Sequence, residues 1–227
     1  MVSYAQVAAS FVGSGMVVRG GFAFGPDESP LDALNGRAAL FAVLVGNVGQ
    51  ELWAKFGDKS DERPARVDAL DRWTVATVAP MAEALGARAV YPFDKPFLPF
   101  QNWAMRAEPV MPSPLGILIH PEYGLWHAYR AALLFSNVID VPLKGECAGP
   151  CETCSDRPCL STCPVAAFGS AGYDVPRCMA HLKSPAGASC LSDSCLARAA
   201  CPVGVSYHPE QARFHMRAFF RARLAAE

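Results

Sequence analysis

Eight of the nine cysteines lie in the last third of the chain, and their types and spacing suit ligation of two iron–sulfur clusters. The first run is Cys151-x2-Cys154-x4-Cys159-x3-Cys163-Pro164; after Cys178 the second is Cys190-x4-Cys195-x5-Cys201-Pro202. Iron in such clusters is held by soft, anionic sulfur, and four corners need four thiolates. In the bacterial two-cluster arrangement three closely spaced thiolates begin one cluster, and the cysteine before proline crosses to the other. That crossing assigns Cys151, Cys154, Cys159 and Cys201 to one 4Fe–4S cluster, and Cys163, Cys178, Cys190 and Cys195 to the second. Proline after the crossing cysteine has no N–H and a fixed φ, so it turns the chain away at a defined angle. The strict form has two residues between its second and third ligands; here there are four, Ser155 to Pro158, which a small extra loop would absorb.

Three other readings compete. Disulfides fit poorly with an odd cysteine count and with a start, Met-Val-Ser-Tyr-Ala-Gln, that lacks the basic and apolar regions of a secretory signal. Structural zinc also uses Cys-x2-Cys knuckles, but only Cys151 and Cys154 form one, and zinc does not explain two Cys-Pro endings. Degenerate sites that fold without metal would leave a polar, loop-rich segment with little core of its own. Cys147, in Gly145-Glu146-Cys147-Ala148-Gly149, is left over as an unliganded thiol.

The elements that must position this segment are drawn from a chain of ordinary globular composition. Its 227 residues are 52% hydrophobic, enough for one large domain or two small ones. A net charge of −1 carries no electrostatic footprint for nucleic acid, and the longest apolar stretch, Ala38 to Gly46, is too short to cross a bilayer. Free thiols point to a reducing compartment, so a cytoplasmic location without membrane attachment is expected.

Residues 1–140 are nearly free of cysteine and alternate helix and strand signals, whereas residues 147–204 are rich in Cys, Gly, Pro and Ser. A division into 1–140 and 141–227 follows. Val2–Phe11 reads as a helix, Met16–Phe24 as a strand, and Ala38–Val45 as a buried strand. Asp68–Leu85 places Leu70, Trp73, Thr77, Met81 and Leu85 on one helical face, with Pro80 as a kink and Gly86 after its end. Arg88–Tyr91 reads as a strand entering an irregular, proline- and aromatic-rich stretch to Phe100, either a pocket wall or a loop packed on the core. Residues 125–135 alternate as a strand, with a helix as the runner-up. Arg130 within it looks buried and needs an anionic partner, from the protein or from a ligand. His208-Pro209-Glu210 opens a last helix to about Leu224, with Arg213, Arg217 and Arg221 on a solvated stripe or a face for an acidic redox partner.

The five histidines form no metal-binding spacing and are taken as structural, and no dinucleotide, phosphate-loop or nucleophile-elbow motif is present. The cysteine segment, with Tyr173-Asp174-Val175-Pro176-Arg177-Cys178-Met179-Ala180-His181-Leu182 between its runs and Gly124-Leu125-Trp126 before it, resembles the two-cluster ferredoxin module of epoxyqueuosine reductase and reductive dehalogenases. The upstream part, with Tyr91-Pro92-Phe93 and His120-Pro121-x2-Gly124-x-Trp126-x2-Tyr129-Arg130, resembles the corrinoid-processing CblC (MMACHC) proteins. These resemblances imply an α+β chain: a nitroreductase-like mixed sheet with helices, followed by a loop-rich bacterial ferredoxin-like module. They also imply a pocket for cobalamin, or a flavin, with Arg130 as its arginine and Tyr91 and Trp126 as its walls. The acidic catalytic motif of epoxyqueuosine reductase is not found, so tRNA modification is not implied. The function expected is electron transfer from two 4Fe–4S clusters to a corrinoid or other small molecule. An electron carrier serving a redox partner protein, and a zinc-stapled interaction protein, are the alternatives.

Overall fold

The computed structural model describes residues 2–26, 28, 31–56, 68–145 and 148–208. Cys147, His215 and the expected last helix with its arginine stripe lie outside them. The described residues divide into two compact units, the first comprising those up to 56 with 68–109 and 128–145, the second comprising 110–127 and 148–208.

The first unit is built on a four-stranded sheet of β1 (Val17–Ala23), β2 (Phe41–Val48), β3 (Arg88–Val90) and β4 (His127–Phe135) in the order β1-β2-β4-β3. β2 is buried from Phe41 to Asn47, which is why it reads as a continuous apolar run rather than an alternation. β1 runs antiparallel to β2, and β3 antiparallel to β4. At one end of the central pair Leu40 N–H donates to Phe135 O at 2.8 Å. At the other, the position of a Cβ on Gly46 would fall 2.1 Å from Ala128 O, so β2 and β4 also run in opposite directions. The expected mixed sheet is therefore antiparallel throughout. The connections from β2 to β3 and from β3 to β4 are long enough for either direction of pairing, so chain length alone did not decide it.

Helix α1 (Tyr4–Ser10) starts with a capping box: Gln6 N–H donates to Ser3 Oγ, and Ser3 N–H to Gln6 Oε1. It buries Val7, and Phe11 follows into the same core. After α2 (Glu51–Phe56), α3 (Ala69–Ala84) continues through Pro80 as one helix. Its fully buried row is Thr74, Val78 and Ala82; Leu70, Trp73, Met81 and Leu85 flank that row, so the face lies about one residue round from the expected stripe. The expectation followed the largest side chains, whereas small residues sit at the closest approach to the sheet.

α4 (Phe100–Ala107) was not anticipated, although Phe100, Trp103, Ala104 and Ala107 have helical spacing and all are buried. Prolines at 92, 96 and 99 obscured it by extending the irregular reading to Phe100. At its end Glu108 meets Arg19 of β1: Arg19 Nη2 lies 2.6 Å from Oε1 and Nε donates to Oε2 at 3.1 Å. Tyr129 Oη donates to the same carboxylate, and the guanidinium lies over the Tyr129 ring at 5.0 Å. With Arg19 2% exposed, this pair ties α4 to two strands inside the core.

The second unit is mainly loops and short helices, consistent with its glycine and proline content. It contains the short pairing of Met111–Pro112 with Leu118–Ile119, then α5 (Pro158–Ser161), β5 (Phe168–Gly169) paired with β6 (Gly172–Tyr173), α6 (Val175–Lys183), α7 (Ala188–Ser192) and α8 (Leu196–Ala199). Among the described residues no helix is long and apolar enough to cross a membrane.

Replacing Glu108 by Ala strands the Arg19 charge in the first unit's core, and the expected loss of stability is about 3–5 kcal/mol. Denaturant unfolding of the variant against the parent protein measures it through a lowered midpoint at unchanged slope.

Candidate functional site

Among the described residues all eight cysteines are free thiols, and their mutual electrostatic interactions sort them into two sets. Cys151, Cys154, Cys159 and Cys201 each interact with the other three. Cys178 interacts with Cys163, Cys190 and Cys195, and Cys190 also with Cys163, while Cys163 and Cys195 also pack against the hydrophobic cluster that holds Cys151, Cys159 and Cys201. The second unit thus brings each Cys-Pro cysteine to the thiols of the opposite run. Cys163 leaves its own run for Cys178 and Cys190, while Cys201 leaves its run for Cys151, Cys154 and Cys159.

Local elements aim these thiols. Arg157 takes a left-handed backbone, φ 40°, inside the four-residue insertion, and Pro158 opens α5 directly after it, which carries Cys159. The insertion is therefore an added turn, as the spacing suggested. Asp174 caps α6 by accepting from Arg177 N–H, which orients Cys178 in the first turn. Cys195 directly precedes α8, and Cys201 follows it.

Burial raises the thiols of Cys151, Cys159, Cys178, Cys190, Cys195 and Cys201 above their usual range. Neighbouring sulfurs raise them further, while N–H and O–H donors act the other way. Ligation by these groups is accordingly coupled to proton release. Among the described residues no group of three or more His, Cys, Asp or Glu side chains is drawn together to hold a metal ion.

Beside the second set, Arg198 is 7% exposed and lies over Trp126 at 4.3 Å. Its Nε donates to Leu125 O at 3.1 Å, and Nη2 donates to the same oxygen. Burial lowers its pKa to about 10, which leaves it fully charged at neutral pH. His208 packs edge-on against Trp126 at 4.4 Å. Trp126, expected as a pocket wall, is 1% exposed and has one ring face covered by this arginine. His181 Nε2 lies 3.8 Å from Cys190 Sγ, close to a thiol rather than simply structural. His120 keeps a local role, its Nδ1 accepting from the N–H groups of Glu122 and Tyr123. Arg198 and Tyr173 were not singled out in the sequence because neither stands at a recognisable spacing.

The first unit gives Tyr91 and Arg130 different surroundings. Tyr91 is 7% exposed in the hydrophobic core and stacks on Phe93 at 5.3 Å, which is the packed-loop alternative for this stretch. Its hydroxyl has no hydrogen-bond partner among the described residues, and burial, with Asp94 nearby, raises its pKa to about 12. Arg130 Nε donates to Asn47 Oδ1 at 3.3 Å. Burial lowers its pKa to about 10 against the attraction of Asp71, and among the described residues no ion pair closes on it. A separate groove of about 730 Å³ lies between segments 2–5 and 138–142 and includes neither residue.

No family model matches the chain, and no curated protein matches it. Among solved structures it is similar to the C. elegans B12-trafficking protein CblC, a human MMACHC homologue, with a TM-score of 0.53 and 14% identity over 97% of this chain and 93% of that one. At this identity the likeness is one of fold. The α+β architecture is CblC-like, in agreement with the upstream resemblance.

Gly124, in the Gly-x-Trp segment, has φ +57°, and a Cβ there would fall 1.9 Å from Val203 O, immediately after the second Cys-Pro turn. Gly124→Ala is therefore expected to lower stability by about 3 kcal/mol or more, since backbone strain adds to overpacking. Thermal unfolding and limited proteolysis across 110–127 and 148–208 read the effect.

Proposed function

We propose that this protein holds two 4Fe–4S clusters and delivers electrons to a bound corrinoid. The observation that carries the reading is the sorting of eight free thiols into two sets of four, with the Cys-Pro cysteines exchanged between runs. The donor set fits the group: every member is a soft sulfur, each proposed set has four, and Ala167 N–H donates to Cys163 Sγ at 3.3 Å. When bound, the clusters supply one-electron transfer.

The chain's own residues provide the rest. Cys151, Cys154, Cys159 and Cys201 hold one cluster, and Cys163, Cys178, Cys190 and Cys195 hold the other. Pro164 and Pro202 turn the backbone away after each crossing. Trp126, fixed by Arg198 and His208, walls the surroundings of the second set rather than presenting an open face. In the first unit Arg130 is the polar residue assigned to the corrinoid. A half-buried guanidinium with one printed acceptor, Asn47 Oδ1, retains donors for the amide and phosphate oxygens of such a ligand. The B12-trafficking role of the CblC structure supports the choice of corrinoid over flavin.

Protein purified without oxygen should contain about eight irons and eight acid-labile sulfides per chain, four of each per cluster. Cys201→Ser and Cys178→Ser should each remove about four irons, from different sets. Zinc without sulfide would instead establish a structural staple. Added cobalamin should bind with a change in its visible spectrum, and Arg130→Ala should weaken that binding about tenfold or more, as expected for loss of a charged hydrogen bond. A cluster-loaded protein that binds no cobalamin at high micromolar concentration would leave an electron carrier for a separate redox partner.

A further inference from the structure

Segment 203–208 closes on segment 120–126 within the second unit. Gly204, at φ +73°, sits so tightly against Tyr123 that a Cβ would fall 2.3 Å from the Tyr123 carbonyl carbon. After it a single 3-10 turn (Val205–Tyr207) is held by Tyr207 N–H donating to Gly204 O at 3.0 Å and His208 N–H to Val205 O at 3.2 Å. Tyr207 Oη donates to Glu122 Oε1 at 2.9 Å, and its ring meets Tyr123 edge-on at 5.2 Å. His208 completes the closure, edge-on to Trp126 at 4.4 Å.

This closure requires a neutral imidazole. His208 Nε2 is out of solvent and has no hydrogen-bond partner among the described residues. A neutral ring can leave that nitrogen without a proton, whereas an imidazolium carries N–H on both nitrogens and would bury an unmatched donor together with its charge. A cation is already in place: Arg198, 7% exposed on α8, lies over the ring of the same indole at 4.3 Å. Because both contacts are with Trp126, a charge on His208 would stand within about 9 Å of the guanidinium, inside the range over which salt leaves charges largely unscreened. Burial and Arg198 together hold the His208 pKa below its usual value.

The remaining titratable groups of the facing segment are otherwise engaged. Glu122, its acid, is exposed and accepts from Tyr207. His120 stacks on Tyr123 at 4.1 Å, and its Nδ1 already accepts two N–H groups. His127 lies beyond it, ring to ring at 6.1 Å.

We infer that residues 205–208 form an acid-released latch over Trp126, with His208 as its titrating group and Gly204, pinned at Tyr123, as the point where release stops. The closed latch excludes a proton, and the open one accepts it at the ordinary histidine value, about 6.5. Between the closed and open values the open form holds more protons, so it gains as pH falls, by up to about tenfold in population per pH unit. Above that window both forms are neutral and the latch stays shut. Opening uncovers the side of Trp126 that His208 occupies, while Arg198 continues to cover one ring face. The latch works the same way whatever the thiols hold.

The test is hydrogen exchange read by mass spectrometry on the full chain, prepared without oxygen, from about pH 8 to about pH 5.5, above the ordinary carboxylate range. Exchange over 204–208, corrected for the pH dependence of free amides, should rise in the parent by about tenfold at the acid end, with the rise beginning below about pH 6.5. His208→Phe keeps an edge-on ring against Trp126 but takes no proton, so its corrected exchange should stay constant across the range. His208→Gln, which also cannot titrate, should be constant too, at a faster rate because the ring contact is gone.

A rise in the parent that vanishes in either variant supports the latch. Corrected exchange in the parent that does not change with pH would overturn it. So would an equal rise in both His208 variants, which would assign the effect to other groups such as His120 or His127. A rise of the same size over 168–183 would also overturn it, because a latch opens locally and that result would mean the whole unit loosens in acid.

Discussion

Cys201 reaches Cys151, Cys154 and Cys159 only after the chain has passed through α6, α7 and α8, and the second unit is organised around that return. Cys163 makes the opposite exchange, so neither thiol set is complete until both runs are folded. The close approach of Gly124 to Val203 fastens the Cys201-Pro202 turn to the Gly-x-Trp segment, where any side chain larger than hydrogen would collide. Arg198, reaching Leu125 O from α8, fastens the same segment a second time. A unit with so little regular structure obtains its definition from these crossed connections and, on the proposed reading, from the free energy of metal binding.

Buried arginines, Arg19 and Arg198, and the half-buried Arg130 have different compensation. Arg19 is balanced by a bidentate carboxylate and serves packing. Arg130 has an amide oxygen at hydrogen-bond distance and the field of Asp71 beyond it. Arg198 has a carbonyl, an indole face and a neighbouring thiol. Burying a guanidinium without a full counter-charge is costly, and such sites concentrate where an anionic or electron-rich partner belongs. Arg198, with the Cys195 thiol in its field, is of this kind.

The two thiol runs were legible because cysteine spacing is a short-range property, read directly from neighbouring residues. β2 and β4 were legible from their apolar pattern, and α1 from its local signals. The missed α4 shows where such reasoning fails, since prolines outside a helix masked the apolar spacing within it. In α3 the period was right and the face was not: residue size suggested Leu70, Trp73 and Met81, whereas close packing selected Thr74, Val78 and Ala82.

By itself the sequence determined the order of eight thiols in two Cys-Pro runs and the helix and strand character of the longer elements, all of which follow from residue type and local spacing. Only the tertiary structure decided that the sheet is antiparallel, that Glu108 answers Arg19, that Tyr91 is packed in the core, and that Arg198 is buried over Trp126. Those outcomes depend on residues far apart in the chain meeting in a desolvated interior, where position rather than composition governs the strength of a charge or a hydrogen bond.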